Sequence, residues 1–177
     1  LHRPSTEGVV PMYSPTVIGV DPGIVHTGIV MLDFDADRRE LTVAHRVVDG
    51  LNTQQSRADI EGLTEHKQFV TLDIFIEYYV PRSGFSTDER MVQANADFRQ
   101  ALDGKLLRNT GVKKVVTKEL MELCHVWSFG TTTHHQDLRS AARIALLGMM
   151  QDPALNEVLY TYCTDTTDGR NWNVRIL

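Results

Sequence analysis

Four side chains of this 177-residue chain are of a kind to do chemistry together: Asp21, Glu77, His134 and Asp137. Asp21 ends an apolar, β-branched run over 17–20 and is followed at once by Pro22-Gly23. A carboxylate at the end of a core strand is costly to bury without a compensating partner. Asp21 therefore either caps its turn by accepting backbone N–H groups or holds a metal ion. Glu77 repeats the pattern at the end of a second apolar run, 72–76. His134 and Asp137, three residues apart at a helix start, share a face. Taken singly, Asp137 complements the helix dipole while His134 and His135 are exposed. Taken together, three separate elements each offer a metal-capable side chain at an end. Hard divalent cations such as Mg²⁺ take oxygen ligands and keep positions open for water and phosphate. Two such ions can activate the attacking water and stabilise the leaving oxygen of a phosphodiester. That chemistry needs carboxylates converging from several elements, which no single helix supplies.

The elements that must position them follow from periodicity and punctuation. Proline fixes φ and glycine admits φ > 0, so Pro22-Gly23 separates a first strand from a second over 29–34. A polar hairpin, DADRRE, leads to a third strand over 41–48. Residues 54–70 read as an amphipathic helix, and 72–77 as a buried strand. The spacing of Met91, Ala94, Phe98, Ala101, Leu102 and Leu106 predicts a long helix over 87–107. A further strand is expected over 112–120, and 121–129 is ambiguous. Thr133 and Gln136 form an S/T-x-x-Q capping box, so a helix is expected to open there. On it His134, Asp137, Ala141 and Ala145 lie on one face, and the alanines allow close approach to a sheet. The tail from Pro153 reads as an added strand or a packed arm.

Composition bounds the alternatives. With 42% hydrophobic residues the chain is long enough for one well-packed domain. Expected boundaries are a flexible arm or foreign remnant over 1–15 with a native start at Met12, a catalytic domain over 16–152, and an extension over 153–177 packed on it. No apolar run approaches the roughly 18 residues of a membrane span. Cys124 and Cys163 show no CxxC spacing, reading as buried thiols in a reducing, cytoplasmic compartment. Net charge is −5, which argues against a general polyanion binder, yet residues 82–143 carry ten basic against seven acidic side chains. That segment is either a solvated helix face or a phosphate-tracking surface. No Walker-type loop, GxGxxG or GxSxG motif is present.

DPGIVHTG, the strand-terminal acid in IFIEYYVP, and HHQDLRSAARIAL together resemble the RuvC-type Holliday-junction resolvases of the RNase H-like superfamily. The resemblance spans roughly residues 17–150. It implies an α/β fold with a mixed five-stranded sheet flanked by helices, a homodimer, and nicking of opposed strands of branched DNA with two Mg²⁺ ions per site, Mn²⁺ also serving. It makes Asp21 the ligand bridging both metals, Glu77 the second, Asp137 the helix carboxylate and His134 the residue three earlier, where many members carry aspartate. Lys113, Lys114 or Lys118 resembles the basic residues near the scissile phosphate. Tyr78, Tyr79 and Phe85 are candidates for the aromatic at the crossover, and Arg82 shares their loop. Competing readings are an RNase H-like nuclease acting on RNA or flaps, and a non-catalytic binder of DNA branches. An actin-like ATPase would need two such lobes and a longer chain.

Overall fold

In the computed structural model, which describes residues 14–65, 71–80 and 88–177, the run ending at Asp21 is β1 (Pro15–Asp21). After the Pro22-Gly23 turn the chain returns as β2 (His26–Asp35) and again as β3 (Glu40–Asp49), a three-stranded antiparallel meander. Helix α1 (Thr53–Thr64) opens on an Asn52 cap, whose side-chain oxygen accepts the Gln55 N–H at 2.9 Å. The strand β4 (Thr71–Tyr78) then pairs in parallel with β1 on the side away from β2. Helix α2 (Glu89–Leu102) leads into β5 (Lys105–Arg108), parallel to β4. The short helices α3 (Val112–Val115) and α4 (Lys118–Leu123) precede the long α5 (His135–Gln151). The chain closes with α6 (Pro153–Thr167) and β6 (Asn173–Ile176).

The sheet has six strands in the order β5-β4-β1-β2-β3-β6. Its sixth strand is a correction to the expected five: the tail supplies both a helix and a strand, β6 adding in parallel to β3. β1 is central, and its alternate residues feed two cores. Val17 joins the larger core beneath α5 and α6, while Ile18 and Val20 join the smaller one beneath α1 and α2. Burial on both faces explains why β1 reads as a continuous apolar run.

Four further expectations are corrected. The helix expected over 87–107 stops at Leu102, because Asp103 adopts a left-handed conformation (φ 51°) and ends it; Leu106 belongs to β5 instead. Residues 112–120, expected as a strand, are helical. Val112 and Val116 bury at i, i+4, and Thr117 caps α4 by accepting the Leu120 N–H. The capping box does not form: the N-cap of α5 is His134, whose own N–H is donated to Thr132 Oγ1 at 3.1 Å. The helix expected over 54–70 ends at Thr64, and residues 66–70 lie outside those described.

α5 lies directly on β1 and β2 at two glycines. A Cβ at Gly28 would meet the Asp137 carbonyl oxygen at 2.6 Å, and one at Gly19 would collide with the Ala141 carbonyl. Ala141 and Ala145 are fully buried at this crossing, as their small size requires. Cys124 is buried and Cys163 partly buried, and the two thiols, far apart in sequence, are hydrogen-bonded neighbours. Among the described residues no helix is long and apolar enough to cross a membrane.

Candidate active site

The register of the sheet decides which side chains meet. Asp21 and Glu77 stand at the same end of the adjacent parallel strands β1 and β4. Gly19 faces α5, so Asp21, two residues on, faces it too. Asp137 enters from the first turn of α5, which Gly28 admits to contact with the sheet. Asp21 hydrogen-bonds the Glu77 carboxyl, feels the charges of Glu77 and Asp137, and is bonded by Ser140 one turn along α5.

The electrostatic outcome is a carboxyl held far from its ordinary range. Burial, then the hydrogen bond and negative charge of Glu77, then the charge of Asp137, push Asp21 up to about 10. The Ser140 hydroxyl pulls it down and does not compensate. Among the described residues no lysine or arginine forms an ion pair with Asp21 or Glu77. Asp21, raised in this way, shares its end of the sheet with Glu77 and Asp137, and a set of carboxylates with one imidazole suits a hard divalent ion. The donors converge without closing: among the described residues no three His, Cys, Asp or Glu side chains form a group set to hold a metal.

His134 lies at this end of α5. Its Nδ1 is 3.6 Å from Asp137 Oδ2, and its ring stands edge-on to His26 at 4.3 Å between centroids. His26, at the start of β2, is 3.4 Å from Asp49 Oδ1. His135 is more engaged than an exposed residue would be, since its Nδ1 accepts the Phe129 N–H at 3.3 Å. The cleft in front of Asp21 and Glu77 has a volume of about 410 Å³ and is bounded by Pro22, Tyr79, Met91 and Asn109.

Two asparagines hold Glu77, and neither stood out in the sequence. Asn109, just past β5, donates its side-chain N–H to Glu77 Oε1. Asn95 on α2 is 3% exposed and bridges the strand exit: its Nδ2 donates to Glu77 O at 3.1 Å, and its Oδ1 accepts the Tyr79 N–H at 3.0 Å. The signal available in advance was a polar residue on the apolar stripe of α2, adjacent to Ala94. Replacing Asn95 by leucine leaves the Tyr79 N–H and the Glu77 carbonyl without their partner, at about 1–3 kcal/mol. The expected result is a thermal midpoint lowered by several degrees and a Glu77 less sharply placed, read by unfolding and by divalent-ion titration on the same samples.

Of the other expected site residues, Lys113 and Lys114 project from α3, and Lys118 opens α4. Lys113 and Lys114 are exposed, and the Lys118 side chain is 54% exposed. Tyr79 borders the cleft. Arg82 and Phe85 lie outside the described residues.

The sequence matches no protein-family model and no curated protein sequence. Among solved structures, Thermus thermophilus RuvC in complex with a Holliday junction substrate matches with a TM-score of 0.50 and 12% identity, over 88% of this chain and 97% of that one. A second Thermus thermophilus RuvC structure matches at 0.48 and 14% identity, over 86% and 96%. The large terminase nuclease of thermophilic phage G20c matches at 0.43 and 11%, over 76% and 82%. The match at a TM-score of 0.50 extends over nearly the whole of both chains and shows the fold: a mixed six-stranded sheet flanked by helices, the RNase H-like α/β fold.

Proposed function

We propose that this protein is a structure-selective endonuclease that hydrolyses phosphodiester bonds in branched DNA, four-way junctions included, with divalent metal ions. The observation that carries the reading is the convergence of Asp21, Glu77 and Asp137 from three elements onto one face of an RNase H-like sheet, at the cost of a carboxyl raised to about 10. A non-catalytic binder has no use for a carboxyl held in such conflict.

Asp21, Glu77, Asp137 and His134 would hold two Mg²⁺ ions. When bound, such ions supply activation of water and stabilisation of the leaving oxygen. The chain's own residues do the rest. Asn109 and Asn95 fix the Glu77 carboxylate and the strand that carries it. Ser140 orients Asp21. Lys113, Lys114 and Lys118 offer positive charge to the phosphate backbone, and Tyr79 borders the cleft where a crossover would sit. Two symmetric nicks require two sites at a fixed separation, so the active form is a homodimer.

The test is incubation with labelled four-way junction, duplex, single strand and an RNA panel, each with Mg²⁺, Mn²⁺ or chelator. Junction cleavage in either metal and none in chelator is expected; sole activity on RNA would move the assignment to the related RNA nucleases. One imidazole among the ligands favours Mn²⁺ over Mg²⁺, because nitrogen suits the softer ion. His134→Asp should narrow that ratio. An unchanged ratio would remove His134 from the metal shell.

A further inference from the structure

The segment between α4 and α5 carries Trp127, and three cations gather on its indole. The Arg139 guanidinium carbon lies 3.9 Å from the ring centroid, Lys118 Nζ 5.3 Å and the Arg143 guanidinium carbon 5.9 Å. Arg139 also donates its Nε–H to the Trp127 carbonyl at 2.7 Å, so the ring and the guanidinium fix each other. The three cations are graded in depth: the Lys118 side chain is largely exposed, Arg139 partly buried and Arg143 buried.

Like charges so close repel, and what offsets them is sparse. Glu122 pairs with Lys118 at 3.4 Å. Neither Arg139 nor Arg143 forms an ion pair among the described residues, and the buried Nε of Arg143 has no hydrogen-bond partner there. Burial and the neighbouring Arg139 both depress the Arg143 pKa, and the negative charge of Glu77 opposes them. Arg143 therefore feels the acid cluster on one side and the cation group on the other. The indole stabilises the group by cation–π attraction, which strengthens when the cation is desolvated. It leaves the positive charge in place for an anion.

The placement on α5 gives the group its meaning. Asp137 and Ser140 turn toward Asp21, while Arg139 and Arg143, four residues apart, form a second stripe about a third of a turn round the same helix. Along the axis Arg143 is six residues beyond Asp137, or about 9 Å. One helix thus carries acids on the face toward the sheet and cations on another face, with Arg143 near enough to Glu77 to feel its charge.

Resting on the nuclease reading above, we propose that Lys118, Arg139 and Arg143, assembled on Trp127, form a phosphate-binding site for the nucleic-acid strand that flanks the bond being cut. Lys118 and Arg139 contact backbone phosphate; Arg143 lies behind them as a buried positive charge. Arginine suits the task because its planar fork stacks on the indole and still presents N–H donors to phosphate oxygens.

The experiment is binding of a labelled four-way junction and of a single strand across a salt series, in chelator so that nothing is cut. Each phosphate contact contributes about 0.9 to the slope of log K against log salt on duplex and about 0.7 on single strand. Lys118→Gln and Arg139→Gln should each flatten the slope by about one such increment, and the double variant by about two. Arg139→Lys should restore most of the slope by returning the charge. Arg57→Gln, on α1 across the sheet, should leave it unchanged. Unfolding midpoints without DNA separate the roles: if Arg139→Gln lowers the midpoint and the slope stays at the wild-type value, the group only ties its loop to α5 and the proposal is overturned. In that outcome wild-type cleavage remains and the nuclease reading stands. Failure of the wild-type protein to bind any nucleic acid would overturn both.

Discussion

Asp21→Asn is expected to abolish cleavage and to make the metal-free protein harder to unfold. The first effect is loss of a proposed metal ligand, a loss of about 10³-fold or more if the ions supply several kcal/mol to the transition state. The second follows from linkage. Asp21 stands near 3.8 when unfolded and about 10 when folded, so between these values the folded chain binds the extra proton. Stability therefore falls as pH rises through that window. The cost accumulated between 3.8 and pH 7 is about 4 kcal/mol as an upper figure, at about 1.4 kcal/mol per pH unit. Asparagine keeps the volume and cannot ionise, so the variant should gain part of that amount and show a flatter stability profile from pH 5 to 9. A divalent ion binds the ionised carboxylate and should raise the wild-type midpoint but not that of the variant. The measurement is thermal unfolding of both proteins against pH, with and without Mn²⁺. A wild-type profile as flat as that of the variant would show that Asp21 ionises without conflict, and would take away the main support for a cation site.

Gly19→Ala should be the most damaging substitution that touches no functional group. The added Cβ would enter the Ala141 carbonyl, and because both partners are backbone, no side chain can move aside. α5 must lift from β1, at about 3 kcal/mol or more, which is roughly 10 °C in midpoint for a chain of this size. The lift would also carry Asp137 away from Asp21, so metal response and stability should fall together. Gly62→Ala is the counterpart. Gly62 is exposed on α1, and a Cβ there would meet no atom within 4 Å. Alanine at that position should stabilise by about 1 kcal/mol through helix propensity. Calorimetry of the pair checks the opposite signs.

What could be read beforehand was what periodicity and punctuation carry. The 17–20 run with Pro22-Gly23, the apolar run before Glu77, and the small residues Ala141 and Ala145 were legible because each encodes its environment locally. The failures were of two kinds. Val112 and Val116 suggested a strand by their β-branched side chains, but the left-handed Gly111 and the Thr117 cap settle the local structure as helix. The supports of the site were hidden for a different reason. Asn95 and Asn109 reach Glu77 from 18 and 32 residues away, and no local pattern reports so distant a partner. His26 meeting His134 across the β2–α5 contact is of the same sort. Residues 121–133 had no reading in the sequence, and this is where Trp127 collects its cations.

The pairing of β6 with β3 carries a consequence for the order of folding. Glu40 meets Asn173 across more than 130 intervening residues, whereas β1, β2 and β3 are joined by short turns. Closing so long a loop gives little until everything between its ends is in place. The meander can form early, and β6 must dock late. Its anchor is Trp172, packed edge-on against Phe34 and Tyr162 and donating its indole N–H to Asp165 on α6. Until α6 has settled on α5 that anchor has no seat. Among the strands described, the four residues of β6, mostly exposed at the sheet's margin, should thus be the last to be protected from hydrogen exchange on refolding and the first to open in the native protein.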